Sequence, residues 1–183
     1  LAEAHARHGF PATRLRLPMV NGERDFHRRM EGYLWRLLDG GPVLLPDGGT
    51  HAVRHVYGGE VARFIVEILL RADTFGHAYN VAQHETPTLA GMIGRLRDLL
   101  GSRSPLVPVA RERLVAAGLR PAAVSPFSGA WMSFLDPRRV EHELGFRHEP
   151  LELYLGKIVA AFLAHPPPDR PPGSGCAAPR PSR

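Results

Sequence analysis

The sequence predicts an α/β protein in which short strands alternate with amphipathic helices. Three stretches carry that reading. In Arg14–Met19 the residues alternate strictly: Arg14, Arg16 and Pro18 fall on one face, and Leu15, Leu17 and Met19 on the other, the period-two pattern of a strand. Glu60, Arg63, Glu67 and Arg71 form a single polar stripe along an otherwise apolar segment, which is the helical period. Thr88 to Gly101 opens with a good N-cap residue and closes on a glycine, so it reads as a further helix.

The remaining elements follow from the same rules. Leu1–His8 reads as the last turns of a helix stopped by Gly9, and Phe10-Pro11-Ala12 leads into the first strand. Asp25 is the expected N-cap of a helix through Leu38, with Phe26, Met30, Tyr33, Leu34 and Leu37 on its apolar side. Asp39-Gly40-Gly41-Pro42 ends that helix, Val43–Leu45 is a short strand, and Pro46-Asp47-Gly48-Gly49 is a tight turn. Ala52–Tyr57 is extended, with Val53, His55 and Tyr57 on one face and Arg54 on the other. Gly58-Gly59 breaks it before the helix that begins at Glu60. That helix is apolar enough to predict burial around most of its circumference. His77–Ala82 is β-rich, Pro105–Val109 an extended linker, Ala110–Ala117 a short helix closed by Gly118, and Pro121–Gly129 a loop. Phe134-Leu135 is a short extended piece. Asp136-Pro137 marks a helix start, Gly145 its stop, and Leu151–Ala164 the last helix. The Pro/Gly/Ser-rich residues 166–183 are expected to be disordered.

Composition narrows the function. A chain of 183 residues with 44% hydrophobic and 22% charged residues describes a globular protein of one domain or two small lobes. Its net charge of +5 comes from arginines scattered among carboxylates, with Lys157 the only lysine, so no nucleic-acid partner is expected. The longest apolar stretch, Val61–Leu70, contains Arg63 and Glu67, and no membrane partner is expected either. With no leader sequence in these residues and a single cysteine, Cys176, the expected location is cytoplasmic.

Most candidate chemistry dissolves on inspection. Tyr154 and Lys157 stand three apart on the last helix, not at the Tyr-x-x-x-Lys spacing by which a lysine lowers a tyrosine pKa, so they read as core edge and surface. The glycine doublets lack the G-x-G-x-x-G spacing of a dinucleotide turn. His51 and His55 lie in an extended segment, where four residues span ~13 Å, too far apart for one metal ion. Ser128 lacks a nucleophile elbow. Two places remain. Pro18 cannot donate to a ladder, so the first strand ends there; Asn21-Gly22 then supplies a turn, which puts Met19–Asn21 at a strand's carboxyl end, where open α/β sheets bind ligands. The second is Arg54–Glu60, a strand followed by Gly-Gly and a helix.

Taken together, these segments resemble the C-terminal half of the extended short-chain dehydrogenase/reductases, the NAD-dependent epimerase/dehydratase family. Leu15-Arg16-Leu17-Pro18-Met19-Val20-Asn21-Gly22 is similar to its Leu-Arg-Pro-x-x-Val-Tyr-Gly segment. Gly40 to Gly49 resembles its Gly-Gly-x-Val-x-Leu-Pro-Gly-x-Gly loop, and Val56 to Ala62 its Val-His-Val-x-Asp-Val-Ala segment. Tyr79-Asn80-Val81-Ala82 and the Asp136 to Phe146 stretch follow in the family's order. The resemblance covers Leu1 to about Pro166. It implies a partial Rossmann-type sheet, made of strands near Thr13–Leu17 and Ala78–Ala82, and a small α/β substrate-binding lobe. It also implies that the Gly-rich turn and the catalytic Tyr-x-x-x-Lys lie upstream, so that NAD or NADP is held through the missing half and this chain alone is inactive. By the same resemblance Pro18, Met19 and Val20 face the cofactor, and Met19, Asn21, Arg54 and Tyr57 face a small-molecule substrate. Where the family's nucleotide-sugar enzymes commonly carry Asn and Tyr, this chain has Met19 and Asn21, and its arginine is displaced by one position to Arg54, which favours a less polar hydroxyl or carbonyl substrate. The competing reading is a non-catalytic binding or regulatory protein on the same fold. With sheet neighbours missing, the isolated chain is expected to aggregate or to form a homodimer.

Overall fold

The computed structural model describes residues 2–129 and 134–170; the expected disorder of 166–183 falls largely outside them. The chain divides into two compact units. The first comprises Leu1–Gly22, Arg54–Thr86 and Ser133–Leu151, and the second Glu23–Val53, Pro87–Met132 and Glu152–Arg183. Among the described residues there are three two-stranded sheets, all parallel.

The first unit holds helix α1 (Ala2–His8) and two strand pairs. Strand β1 (Arg14–Arg16) pairs with β5 (Ala78–Asn80), and β2 (Met19–Asn21) pairs with β4 (His55–Tyr57). The period-two reading of Arg14–Leu17 and the break at Pro18 are both observed. The expected turn at Asn21-Gly22 is not: Met19–Asn21 is itself a strand, and neither Asn21 nor Gly22 has a positive φ. Pairing with β4 supplies the hydrogen bonds that keep this segment extended, and local turn propensity yields to it.

Helix α3 (Gly58–Ile68) starts at once after β4, so Gly58 and Gly59 are its first turn and do not break the strand from it. Val61, Phe64 and Ile68 pack with Val56, Tyr79, Val81, Val140 and Phe146, and Leu15 and Val20 lie against this cluster. The Phe64 and Phe146 rings meet edge to face at 4.9 Å, and the Arg63 guanidinium covers Phe146 at 4.0 Å. The expectation that α3 is buried nearly all round is corrected here. Ile65 and Val66 are exposed, because only one stripe of the helix meets the strands and α7 (Arg138–Leu144), and Leu69 and Leu70, just past its end, are exposed as well. The expected extended piece at Phe134-Leu135 is not a strand, and α7 begins after Pro137 with Asp136 accepting from the Arg138 N–H.

In the second unit, α2 (Arg29–Leu38), β3 (Val43–Pro46), α4 (Leu89–Leu99), β6 (Leu106–Val109), α5 (Arg111–Ala116), α6 (Pro121–Val124) and α8 (Leu151–Ala164) follow in chain order. Thr88 caps α4 as expected, its Oγ1 accepting from Gly91 N–H at 3.0 Å. Asp25 does not cap α2 directly. Its carboxylate accepts from the N–H groups of His27 and Arg29, Arg28 takes a left-handed φ of 52°, and the helix starts later, which leaves Phe26 exposed. Two segments read as irregular are regular: Leu106–Val109 is a strand because it pairs with β3, and Pro121–Val124 is a short helix. The unit's core centres on Tyr33, whose ring stacks on Phe127 at 5.8 Å and whose hydroxyl bonds Ser125 and accepts from the Phe127 N–H. Burial pushes the Tyr33 phenol up to about 12. Tyr154 is buried and Lys157 exposed on α8, as their spacing implied.

A Cβ at Gly59 would sit 2.5 Å from Tyr57 Cε1 and 2.9 Å from Cζ, whereas one at Gly94, inside α4, meets nothing within 4 Å. Gly59→Ala is therefore expected to destabilise the chain by about 1–3 kcal/mol through overpacking. Gly94→Ala is expected to stabilise it by ~0.5–1 kcal/mol through helix propensity. Urea denaturation of the two variants checks both signs.

Candidate functional site

The parallel pairing of β2 with β4 puts Met19 beside His55, Val20 beside Val56 and Asn21 beside Tyr57. Side chains alternate along a strand and paired residues of a parallel ladder share a face. Val56 belongs to the core cluster and Val20 packs against it, so they define the face turned to α3. Met19, Asn21, His55 and Tyr57 consequently occupy the opposite face as two adjacent pairs. The structure thus gathers three of the residues singled out in the sequence and adds a fourth, His55.

This face is polar yet shielded. Asn21 is 1% exposed and His55 0%. Neither amide atom of Asn21 has a hydrogen-bond partner. Burial lowers the His55 pKa to about 4, with nearby Glu85 opposing and Arg54 adding to the shift. The imidazole is therefore neutral at pH 7, with one donor and one acceptor nitrogen. The Tyr57 ring is buried and lies over the positions of Gly22 and Gly59.

Pro18, between β1 and β2, and Met19 and Val20 within β2 are all half-buried. Arg54 alternates away from His55 and Tyr57. Its Nη1 donates to the Gln83 carbonyl at 2.5 Å, its guanidinium lies 5.9 Å from the Phe134 ring, and burial lowers its pKa while Asp136 works against that. Arg54 and Val20 therefore do not join the four-residue face.

Sequence reading missed the polar residues that surround this strand pair. The Gln83 N–H donates to the His55 carbonyl; its side-chain N–H groups reach Glu85 and the Glu149 carbonyl, and its buried Oε1 has no partner. Glu60, in the first turn of α3, is buried. Desolvation raises its pKa, but N–H donors from Arg63 and Glu149 outweigh that and hold it below the usual carboxylate value. His148 lies 3.9 Å from Glu60, and burial lowers its pKa. The available signal was the polar Gln83-His84-Glu85 run directly after the apolar Val81-Ala82 that follows β5. No group of three metal-ligating side chains exists among the described residues. Nor is any described helix long and apolar enough to cross a membrane.

The second unit has its own cavity, of about 300 Å³, between α2 and α6. His27, Arg28, Arg29 and Arg36 line it together with Ala122, Ala123 and Pro126. Its arginines are engaged: Arg28 with Glu31 and Asp169, Arg29 with Asp25, and Arg36 with the Ala123 carbonyl.

Comparison with solved structures decides the fold. WbmF from Bordetella bronchiseptica, solved with NAD+ and UDP, matches with a TM-score of 0.66 over 89% of this chain and 48% of its own, at 19% identity. The chain has the fold of part of an NAD-dependent epimerase/dehydratase. DesIV, a dTDP-glucose 4,6-dehydratase from Streptomyces venezuelae solved with NAD, matches at TM-score 0.65 and 23% identity, over 89% of this chain and 47% of its own. The UDP-glucose 4-epimerase of Thermotoga maritima, solved with UDP-glucose, matches at 0.65 and 21%, over 87% and 48%. The chain thus spans about half the length of these enzymes. No protein-family model matches the sequence, and no curated protein matches it.

The buried His55 makes stability depend on pH. Its folded pKa of about 4 lies below its unfolded value of 6.5, so the unfolded chain binds the extra proton first. The associated stability is present above pH ~6.5 and is lost as pH falls towards ~4, by roughly 3 kcal/mol in all. Urea midpoints of the wild type are expected to fall through this window, and those of His55→Gln to fall less.

Proposed function

We propose that the chain is the substrate-binding, C-terminal portion (residues 1–165) of a longer NAD(P)-dependent epimerase, dehydratase or reductase acting on a hydroxyl or carbonyl substrate. The observation that carries this reading is the fold shared with about half of enzymes solved with NAD+ or NADH. When bound, the dinucleotide supplies the hydride acceptor or donor. The residues present fit one end of such a group. Pro18 and Met19, just beyond the first strand pair, offer apolar surface suited to a nicotinamide ring, whereas Val20 turns to the core cluster, and the 183 residues contain no G-x-G-x-x-G turn for a pyrophosphate. They contain no Tyr-x-x-x-Lys pair either, so their task is to bind and orient and not to move the proton.

On this reading Met19, Asn21 and Tyr57 line the substrate side, and Arg54 steadies the β4 end through the Gln83 carbonyl. A methionine offers adaptable apolar contact and no hydrogen bond. The preferred substrate is therefore a small molecule of modest polarity, not a nucleotide sugar. A cytoplasmic location accords with the single cysteine, and self-association of the isolated chain with the exposed Ile65, Val66, Leu69 and Leu70.

Two measurements test the reading. Calorimetry on the 183-residue chain is expected to show NADH binding weaker than micromolar. Joined to the segment that precedes it in its gene, the protein is expected to turn over small ketones with NAD(P)H more efficiently than UDP-glucose, and Met19→Ala is expected to lower kcat/KM about tenfold, or ~1.4 kcal/mol. Efficient turnover of UDP-glucose alone, untouched by Met19→Ala, would overturn both the substrate class and the site.

A further inference from the structure

Beyond α8 the chain returns to α2. Pro166-Pro167-Pro168 leads to Asp169 and Arg170, and these two residues grip the helix at both of its ends. Arg28, the N-cap residue of α2, donates from Nη1 to the Asp169 carboxylate at 2.8 Å and from Nη2 to the Asp169 carbonyl. Arg170 donates to the carboxylate of Asp39, the C-cap residue, at 2.6 and 2.7 Å, and its guanidinium lies 4.5 Å from the centre of the Trp35 ring. Three successive prolines have φ already fixed, so this strap gives up little freedom when it docks.

The two carboxylates on Arg28 differ in kind. Glu31 takes one edge of the guanidinium, accepting from Nε at 2.9 Å and from Nη2, and its side chain is only 15% exposed. Asp169 takes the other edge with a side chain that is 74% exposed. An ion pair so open to water contributes little and exchanges readily. Glu31 therefore fixes the fork, and the Nη1 edge is the one able to change partners. A guanidinium edge held in this way is matched to a carboxylate or phosphate, which accepts two N–H groups side by side.

Arg28 also lines the cavity of about 300 Å³ between α2 and α6. His27, Arg29 and Arg36 share its wall, and among the described lining residues there is no carboxylate. Asp25, the partner of Arg29, does not line it. Ala122, Ala123 and Pro126 close the opposite side with apolar surface. A basic wall facing an apolar one, around a space of this size, suits a small molecule with one oxyanion on a compact apolar body.

We propose that residues 166–170 are an autoinhibitory strap, in which Asp169 stands on Arg28 as an internal anion and is displaced by a small oxyanionic ligand, a carboxylate or a phosphate, that enters the α2–α6 cavity. Strap and ligand compete for the same guanidinium edge, so binding of the ligand frees the strap and loss of the strap favours the ligand. Arg170 follows Asp169 in the chain, so it leaves the Trp35 ring when the strap lifts. Strap and cavity both lie in the second unit, and their competition is independent of the reaction proposed above.

The test titrates phenyl phosphate and benzoate separately into the 183-residue chain. At least one of them is expected to shift the NMR signals of the Arg28 side-chain N–H and the Trp35 indole N–H together and saturably, and the tighter binder names the oxyanion. Benzyl alcohol, with the ring but no charge, is expected to shift neither. Binding of neither anion, or an equal response to benzyl alcohol, would overturn the proposal. So would an Arg28 shift without a Trp35 shift, since the strap would then have stayed in place. Asp169→Asn removes a charge at an exposed position and is expected to bind the anion about three- to tenfold more tightly than the wild type. Equal or weaker affinity would mean that Asp169 is no competitor. Arg28→Lys keeps the charge and loses the fork, and is expected to weaken binding about tenfold. Unchanged affinity in that variant would place the anion elsewhere and overturn the site.

Discussion

The parallel pairing of β2 with β4 is the constraint on which the first unit's chemistry depends. Each strand is three residues long, too short to persist alone, and each gains its ladder hydrogen bonds from the other. Because the pairing is parallel, the chain must make a long excursion between the two strands, and the whole of Glu23–Val53 lies in that excursion. The register then sorts the side chains. Val20 and Val56 go to the hydrophobic cluster under α3, and Met19, Asn21, His55 and Tyr57 go to the other face. A one-residue slip of β2 would turn Asn21 towards the apolar core and Val20 away from it, and a slip of β4 would do the same to His55 and Val56.

Tight passage from β4 into α3 follows from the same register. Tyr57 ends the strand and caps the helix, and its ring occupies the space that a side chain at Gly59 would need. Glycine there serves close approach; its φ is not left-handed. The buried Glu60 that comes next is tolerable because Arg63 reaches back to it and the Glu149 N–H completes its shell. Polar groups on this side of the unit are thus of two kinds. Glu60 is satisfied within the fold, whereas the Asn21 amide is not.

Much of the local structure was legible from residue type and spacing. The β1 alternation and its end at Pro18, the Thr88 cap, the Gly9, Gly101, Gly118 and Gly145 stops and the bounds of the last helix all obey short-range rules. Pro18, Met19, Asn21 and Tyr57 were legible as a candidate wall because a proline and a glycine pair punctuate strands at those points. His55 was not. A histidine in an extended run carries no mark of whether it will be buried, and that is decided by what packs over it.

What the sequence alone determined is therefore most of the elements and the α/β class, since strand and helix periods depend on each residue and its near neighbours. Tertiary structure decided the rest. It made Leu106–Val109 a strand by giving it β3 as a partner, and it left Ile65 and Val66 exposed on a helix whose composition suggested burial. It also set Asn21 in a strand where local propensity favoured a turn, and enclosed it without a partner. Each of these outcomes turns on contacts between residues far apart in the chain, whose energies outweigh the few tenths of a kcal/mol, roughly, that local propensity contributes per residue.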